Sequence, residues 1–282
     1  MEPTPDLVAA VANRKAIIVA GAGIAALFNP KFKSWVHLVK ALCDLAEVEM
    51  TANSSATDLA ALAGNAMNVL QTSKEKKETL VAFLKSSFDL PPNNSNLAAA
   101  LKGLDIPIIT TNYDYCIENA FGQEANTIVW NDLQQVRDFV SDPMRHCNKI
   151  LHIHGVWDRL ETLVLDENAY KNSHDHVKHI LTTLSSRFQL IFIGCDGTLG
   201  DPNFEAIMEL HEHTYEAAKN EKHIILCRSP LVSVIENPNY GRLARTGLPG
   251  AFVTLCYGAQ YSDLVTFLKN TVAKGSLNCT TT

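Results

Sequence analysis

The chain has 282 residues, 46% of them hydrophobic and 19% charged, which suits one large domain with a full buried core. Thirty acidic against 24 basic residues give a formal charge of −6, without the basic excess that nucleic-acid binding through counterion release requires. The longest apolar run, Ala16 to Phe28, is 13 residues long with two glycines, short of the roughly 20 needed to cross a bilayer, so neither nucleic acid nor membrane is expected as a partner.

That run follows Arg14 and Lys15 and so imitates a secretory signal, but it begins well inside the chain. Its β-branched Ile17, Ile18 and Val19 running into Gly21 and Gly23 suit a buried strand and a tight turn. Further short apolar runs follow at Ile106–Thr110, Ile150–Ile153, Leu190–Ile193, His223–Cys227 and Phe252–Leu255, mostly separated by amphipathic stretches of helical length. Near-continuous apolar character marks strands covered on both faces. The expected class is therefore α/β, a Rossmann-like and largely parallel sheet flanked by helices. About 85 residues separate the first two strands, far more than the dozen or so that one crossover needs. Trp35–Glu47, Thr57–Gln71 and Glu75–Phe88 each carry helical spacing there, and Pro91-Pro92-Asn93-Asn94 ends the series, which predicts a small helical module inserted at residues 35–95 of a single domain spanning 1–282. Residues 166–186 and 202–219 read as later crossover helices, and the small, polar tail from Lys274 as frayed.

Seven cysteines, at 43, 116, 147, 195, 227, 256 and 279, are odd in number and irregularly spaced, as free thiols of a reducing, cytoplasmic setting would be. No two stand three apart, so there is no CxxC pair for zinc, and no metal is expected. Gly21-Ala22-Gly23-Ile24-Ala25-Ala26 is a GxGxxA pattern where a strand hands over to a helix, the place where backbone amides and a helix dipole can meet a diphosphate. The acidic residue that a dehydrogenase would carry at the end of a second strand is not matched, because Cys43–Glu47 reads as helix. Thr110-Thr111-Asn112-Tyr113-Asp114 ends the second strand, with Asn112 able to hold ribose hydroxyls or a water and Asp114 adding a carboxylate, unless both simply cap the helix Tyr115–Phe121. Leu151-His152-Ile153-His154-Gly155 places two histidines at another strand end. His154, next to a glycine, is the better general base, and His152 reads as packing. Gly194–Asn203 is a possible second phosphate or ribose loop, in which Asp201 caps a helix opened by Pro202 and Cys195 is a small packing residue. His174, His176, His179, His211 and His213 lie on predicted helices among charged neighbours and read as solvated surface.

Taken together and in this order, Gly21-Ala22-Gly23-Ile24, Thr111-Asn112-Tyr113-Asp114, His154-Gly155 and the Gly194 loop resemble the sirtuin NAD-binding fold. The chain looks most similar to sirtuin-like proteins of bacterial antiphage defence and to the small eukaryotic group called family with sequence similarity 118. The second likeness includes Lys33-Ser34-Trp35, Leu151–Val156, Cys256-Tyr257-Gly258 and Tyr261-Ser262-Asp263-Leu264. It covers roughly residues 15–270. The resemblance implies NAD as substrate. It gives Gly21, Ala22, Gly23 and Ile24 to the diphosphate, Thr111, Asn112 and Asp114 to the nicotinamide-ribose side, and His154 to catalysis. Gly194, Cys195, Thr198, Tyr257 and Gly258 fall near the adenosine half. Ala25 replaces the usual serine and no Asp-Phe-Arg run follows it, which argues with the missing zinc module against protein deacylation. The expected activity is thus an NAD glycohydrolase releasing nicotinamide and ADP-ribose. Alternatives are ADP-ribosyl transfer or cyclisation, and a non-catalytic NAD- or ADP-ribose-binding scaffold. The resemblance also implies a homo-oligomer or filament, with activity gated by assembly and an immune or stress setting.

Overall fold

The computed structural model describes residues 2–32, 34–50, 56–122, 127–195, 223–229 and 252–279. Its strands are β1 Ala16–Ala20, β2 Ile108–Thr110, β3 Thr127–Val129, β4 Ile150–His152, β5 Gln189–Ile193, β6 His223–Arg228 and β7 Phe252–Gly258. They form one parallel sheet in the order β3-β4-β2-β1-β5-β6-β7, which is the Rossmann-like α/β arrangement. The second strand starts two residues later than its apolar run. Pro107 has no amide to donate, and its carbonyl instead accepts from Ile18.

The helices are α1 Pro5–Ala12, α2 Ala22–Phe28, α3 Trp35–Ala46, α4 Ala56–Leu70, α5 Lys74–Phe88, α6 Ser95–Gly103, α7 Cys116–Phe121, α8 Leu133–Ser141, α9 Glu167–Ser185 and α10 Asp263–Cys279. Their starts follow from side-chain caps: Thr4 on Leu7, Ser73 on Lys76, Asn94 on Leu97, Asp132 on Gln135 and Asp166 on Ala169. Beyond Lys274 the chain, which its composition predicts to be frayed, continues α10 as far as Cys279, the last described residue, and Gly275 lets the helix lie against α1: a Cβ there would stand 3.3 Å from that of Ala12. The predicted helix at 202–219 lies outside the described residues.

The period of two in β1 splits the core. Ala16, Ile18 and Ala20 join the cluster under α1, α2, α6, α7 and α10, while Ile17 and Val19 join the cluster under α8 and α9. A third cluster gathers α3, α4 and α5 around Leu42, Ala63 and Leu80, and closes on Tyr113, Leu163 and Leu165 from the loops after β2 and β4. No helix among the described residues is long and apolar enough to cross a membrane.

Two turns at the top of the central strands touch backbone to backbone. A Cβ on Gly21 would lie 2.6 Å from the Gly194 carbonyl oxygen, and one on Gly194, whose φ is +64°, would lie 2.6 Å from the Ile24 nitrogen. Gly194→Ala is therefore expected to lower the free energy of unfolding by at least about 1–3 kcal/mol in denaturant titrations. Gly103→Ala, whose new methyl would meet only Val272 side-chain carbons at 3.6 Å and beyond, is expected to change it by less than about 1 kcal/mol.

Candidate functional site

In an open parallel sheet, ligands bind beyond the carboxyl ends of the strands, where the strand order reverses. Here that place is the top of β1, paired with β2 on one side and β5 on the other. The Gly21 turn sits there, and most of its amides are already bonded. Gly21 donates to Ile193, Gly23 to Gly194 and Ile24 back to Gly21, at 2.9 Å each. Among the described residues no hydrogen bond is made by the Ala22 amide, which leaves it as the donor of this turn open to an anion. The glycines of the pattern thus serve first to let the β1 and β5 turns meet. Cys195 completes that contact: its buried thiol donates to the Val19 and Ile193 carbonyls, and its Sγ stands 3.0 Å from where a Cβ on Gly21 would be.

The turn after β2 is tied to the same place. Thr110 Oγ1 and the Thr111 amide both donate to the Ala20 carbonyl, and Asn112 Nδ2 donates to the Gly21 carbonyl at 3.2 Å. Among the described residues no hydrogen bond is made by Asn112 Oδ1, so its acceptor is available to a ribose hydroxyl or a water. Capping divides between the two polar residues of the motif. Asp114 Oδ1 accepts the Cys116 amide at 2.9 Å at the start of α7, whereas Asn112 turns to β1.

The two histidines of the next motif separate because β4 ends at His152. Fully buried, His152 bonds the Asn112 carbonyl through Nδ1 and Glu118 Oε1 through Nε2, both at 2.8 Å. His154 lies two residues past the end of β4, as Asn112 lies two past the end of β2, and the two loops are joined where the Trp157 amide donates to the Tyr113 carbonyl at 2.9 Å. The His154 ring lies between those of Tyr113, 6.4 Å away, and Tyr170 on α9, 5.7 Å away. At Gly155, φ is +80° and a Cβ would collide with the Thr162 carbonyl oxygen at 2.1 Å, so this glycine is fixed by its neighbour in the fold. Tyr257 packs in the core at the end of β7, and the Gly258 carbonyl accepts the Ser229 hydroxyl, three strands from β1. His174 is half-buried, and His176 and His179 are exposed. Lys33, Thr198, Asp201, Pro202, His211 and His213 lie outside the described residues.

Three participants were not foreseen in the sequence. Tyr113 lies inside the motif itself, and its hydroxyl donates to the Val164 carbonyl, which steadies the loop beside His154. Tyr170 carries no local signal. Glu118 stands four residues after Asp114 on the same helical face, which is the only sequence mark of its burial.

The electrostatics are those of charges held away from water. Burial pushes the Asp114 carboxyl up to about 6, with the Glu118 charge adding to the rise and the Cys116 amide and His152 opposing it. For His152, burial disfavours the charged ring, but Glu118 and the bond to Asn112 outweigh it and raise its proton affinity. No group of three or more histidine, cysteine or acidic side chains suited to a metal is found among the described residues.

Residues 107–245 match the family model described as SIR2-like domain. The match supports a sirtuin-like domain and is consistent with NAD-related activity. It runs from β2 past β6, so it includes Asn112, Asp114, His154 and Gly194, while the Gly21 turn precedes it.

The Asp114 carboxyl supplies a check on this electrostatic picture. Because its folded value is raised, its contribution to stability is fully present below the unfolded value of about 4 and is lost as pH rises through about 6. Asp114→Asn keeps an acceptor for the Cys116 amide and removes the ionisation. It is expected to gain up to about 3 kcal/mol over the parent at pH 7 and to converge with it below about pH 4, read from thermal unfolding at each pH.

Proposed function

We propose that the chain is an NAD glycohydrolase that cleaves NAD to nicotinamide and ADP-ribose, with NAD as substrate and no metal. The observation carrying this reading is that the Gly21 turn, Asn112 and His154 follow the carboxyl ends of the adjacent strands β1, β2 and β4, with Asn112 bonded to the Gly21 carbonyl and His154 beside Tyr113 of the same loop as Asn112. The SIR2-like match over Asn112, Asp114 and His154 adds to it.

In this reading the bond between the nicotinamide nitrogen and ribose C1′ breaks, neutral nicotinamide leaves with the bonding pair, and an oxocarbenium-like ribosyl cation forms. Water adds its oxygen to C1′ and releases one proton. Asn112 orients the ribose and the water through Oδ1, His154 accepts a proton from the water or a ribose hydroxyl, and Asp114 supplies negative charge beside the cation. Ala22 and the start of α2 face the diphosphate. Thr111, Gly194 and Cys195 shape the wall between the turns. Thr198, Tyr257 and Gly258 belong to the adenosine side. The organisation this reading uses is one domain, with residues 35–95 as an insertion. A cytoplasmic, immune- or stress-linked setting rests on the resemblance and the free thiols.

Incubation of the intact chain with NAD and chromatography of the products tests the reading. Equal amounts of nicotinamide and ADP-ribose are expected. A cyclic or protein-bound ADP-ribose product would instead indicate cyclisation or transfer, and binding without turnover would indicate a scaffold. His154→Ala and Asn112→Ala are each expected to lower turnover by about 10²–10⁴-fold with an unchanged circular dichroism spectrum.

Gating by self-association, as an oligomer or filament, belongs to the same proposal. Helices α3 to α5 bury most of their apolar side chains within the chain, yet Val36 and Val81 remain 50% and 43% exposed and offer a place for a second copy. Specific activity is expected to rise with protein concentration together with the scattering mass. Constant specific activity from a monomer across the dilution series would refute the coupling.

A further inference from the structure

Behind Asn112 lies a polar group that the proposed reaction does not touch. His152 is 0% exposed and Glu118 4% exposed, and the two join at 2.8 Å between Nε2 and Oε1. Thr127 Oγ1 of β3 donates to the same Oε1 at 2.7 Å, while Glu118 Oε2 is buried with no hydrogen-bond partner among the described residues. On its other side His152 Nδ1 lies 2.8 Å from the Asn112 carbonyl. Histidine and glutamate are thus placed in series behind Asn112, whose side chain links the β2 turn to the Gly21 carbonyl.

A peptide carbonyl only accepts, so Nδ1 carries hydrogen. An ionised Glu118 accepts from Nε2 as well, and its charge raises the proton affinity of the ring, which favours an imidazolium beside a carboxylate. The other ionisable groups around it are Asp114, whose charge favours the protonated ring, and the Tyr115 phenol, whose ring centroid is 6.0 Å away; Cys116 lies next to both carboxylates. When the proton leaves, Glu118 retains the Nε2 hydrogen and Nδ1 becomes a bare lone pair facing the Asn112 carbonyl. The bond that sets the Asn112 peptide then turns repulsive.

We propose that Glu118 and His152 are positioning residues: a buried charge pair that holds the Asn112 carbonyl and thereby aims the Asn112 side chain, with the hold released when the pair loses its proton. The proposal rests on the glycohydrolase reading for its link to turnover. It extends that reading to pH control of Asn112 by a pair that touches no substrate.

Three measurements on the intact chain test it. Imidazole nitrogen shifts from NMR should show both His152 nitrogens protonated at pH 7 and above the ordinary histidine range; a neutral ring at pH 7, facing a protonated Glu118, would overturn the proposal. Turnover should fall on an alkaline limb in the parent. Glu118→Gln, whose amide can donate to Nε2 and so leave hydrogen on Nδ1 of a neutral ring, should keep activity near neutrality and flatten that limb. An unchanged limb in this variant would overturn the proposal. His152→Phe preserves the ring and removes the donor. It should lower kcat by about 10²-fold while KM and ADP-ribose binding stay near the parent values, and parental kcat would count against the proposal. If the parent does not cleave NAD at all, the glycohydrolase reading fails, and the imidazole shifts with the Asn112 carboxamide resonances in Glu118→Gln still decide the pairing.

Discussion

The contact between the Gly21 turn and the Gly194 turn is the constraint on which the rest of the site depends. The two turns leave neighbouring parallel strands, β1 and β5, and stay joined past the strand ends by ordinary backbone hydrogen bonds. Here the Gly23 amide reaches the Gly194 carbonyl at 2.9 Å, and any Cβ on Gly21 or Gly194 would intrude on the opposite backbone. Closing that seam fixes the direction in which α2 leaves the sheet and turns the Ala20 and Gly21 carbonyls toward β2. Those carbonyls are the anchors for Thr110, Thr111 and Asn112. The polar side of the site is therefore built outward from a backbone contact.

A second line of organisation runs through aromatic rings. Phe88 at the end of α5 meets Tyr113 edge-on at 5.7 Å, Tyr113 stands beside His154, and His154 meets Tyr170 of α9. Leu163 and Leu165 in the loop after β4 belong to the cluster of the inserted helices, and the amide of Val164 between them pairs with the His154 carbonyl. Helices α3 to α5 thus pack against the loops that carry both Asn112 and His154, and a shift of those helices would be felt at His154 through direct contacts.

Strands that are buried on both faces read clearly in the sequence, since Ala16–Ala20 and Leu190–Ile193 are apolar at every position and cannot sit at a surface. Helices α3, α4 and α5 were legible from a different signal, apolar residues at helical spacing, and their ends match it to within a residue or so. β3 was not. It has three residues, stands at the edge of the sheet, and pairs only with β4, so its Thr127-Ile128-Val129 run is too short to stand out beside the helices around it. Composition also gave no sign that α10 runs on to Cys279, where Gly275 lies close against Ala12 of α1. The motif residues were legible as types but not as partners. That Asn112 bonds the Gly21 turn while Asp114 Oδ1 takes the first amide of α7, and that His152 faces Glu118 while His154 faces two tyrosines, follows from where β2 and β4 stop, at Thr110 and His152.

Ionisable groups confined together in the core balance unevenly. His152 and Glu118 are joined across a single short bond, whereas Asp114, 4% exposed, bonds the Cys116 amide and feels the His152 ring only through space, too weakly to offset its burial. A carboxylate so placed costs stability in the ligand-free fold, and its raised affinity for a proton expresses that cost. Fixed negative charge of this kind has most effect where positive charge develops during a reaction, because the surrounding low dielectric that penalises the empty site also strengthens the attraction to a cation. In cleavage of a nicotinamide–ribose bond, positive charge moves from the pyridinium ring onto the ribosyl carbon and its ring oxygen. A carboxylate without a direct ion pair would then be matched to the transition state more closely than to the resting protein, whereas one already paired like Glu118 would have little field left to offer. The division between a directly paired acid, Glu118, and one without a direct ion pair, Asp114, would give the two buried acids separate tasks under the glycohydrolase reading.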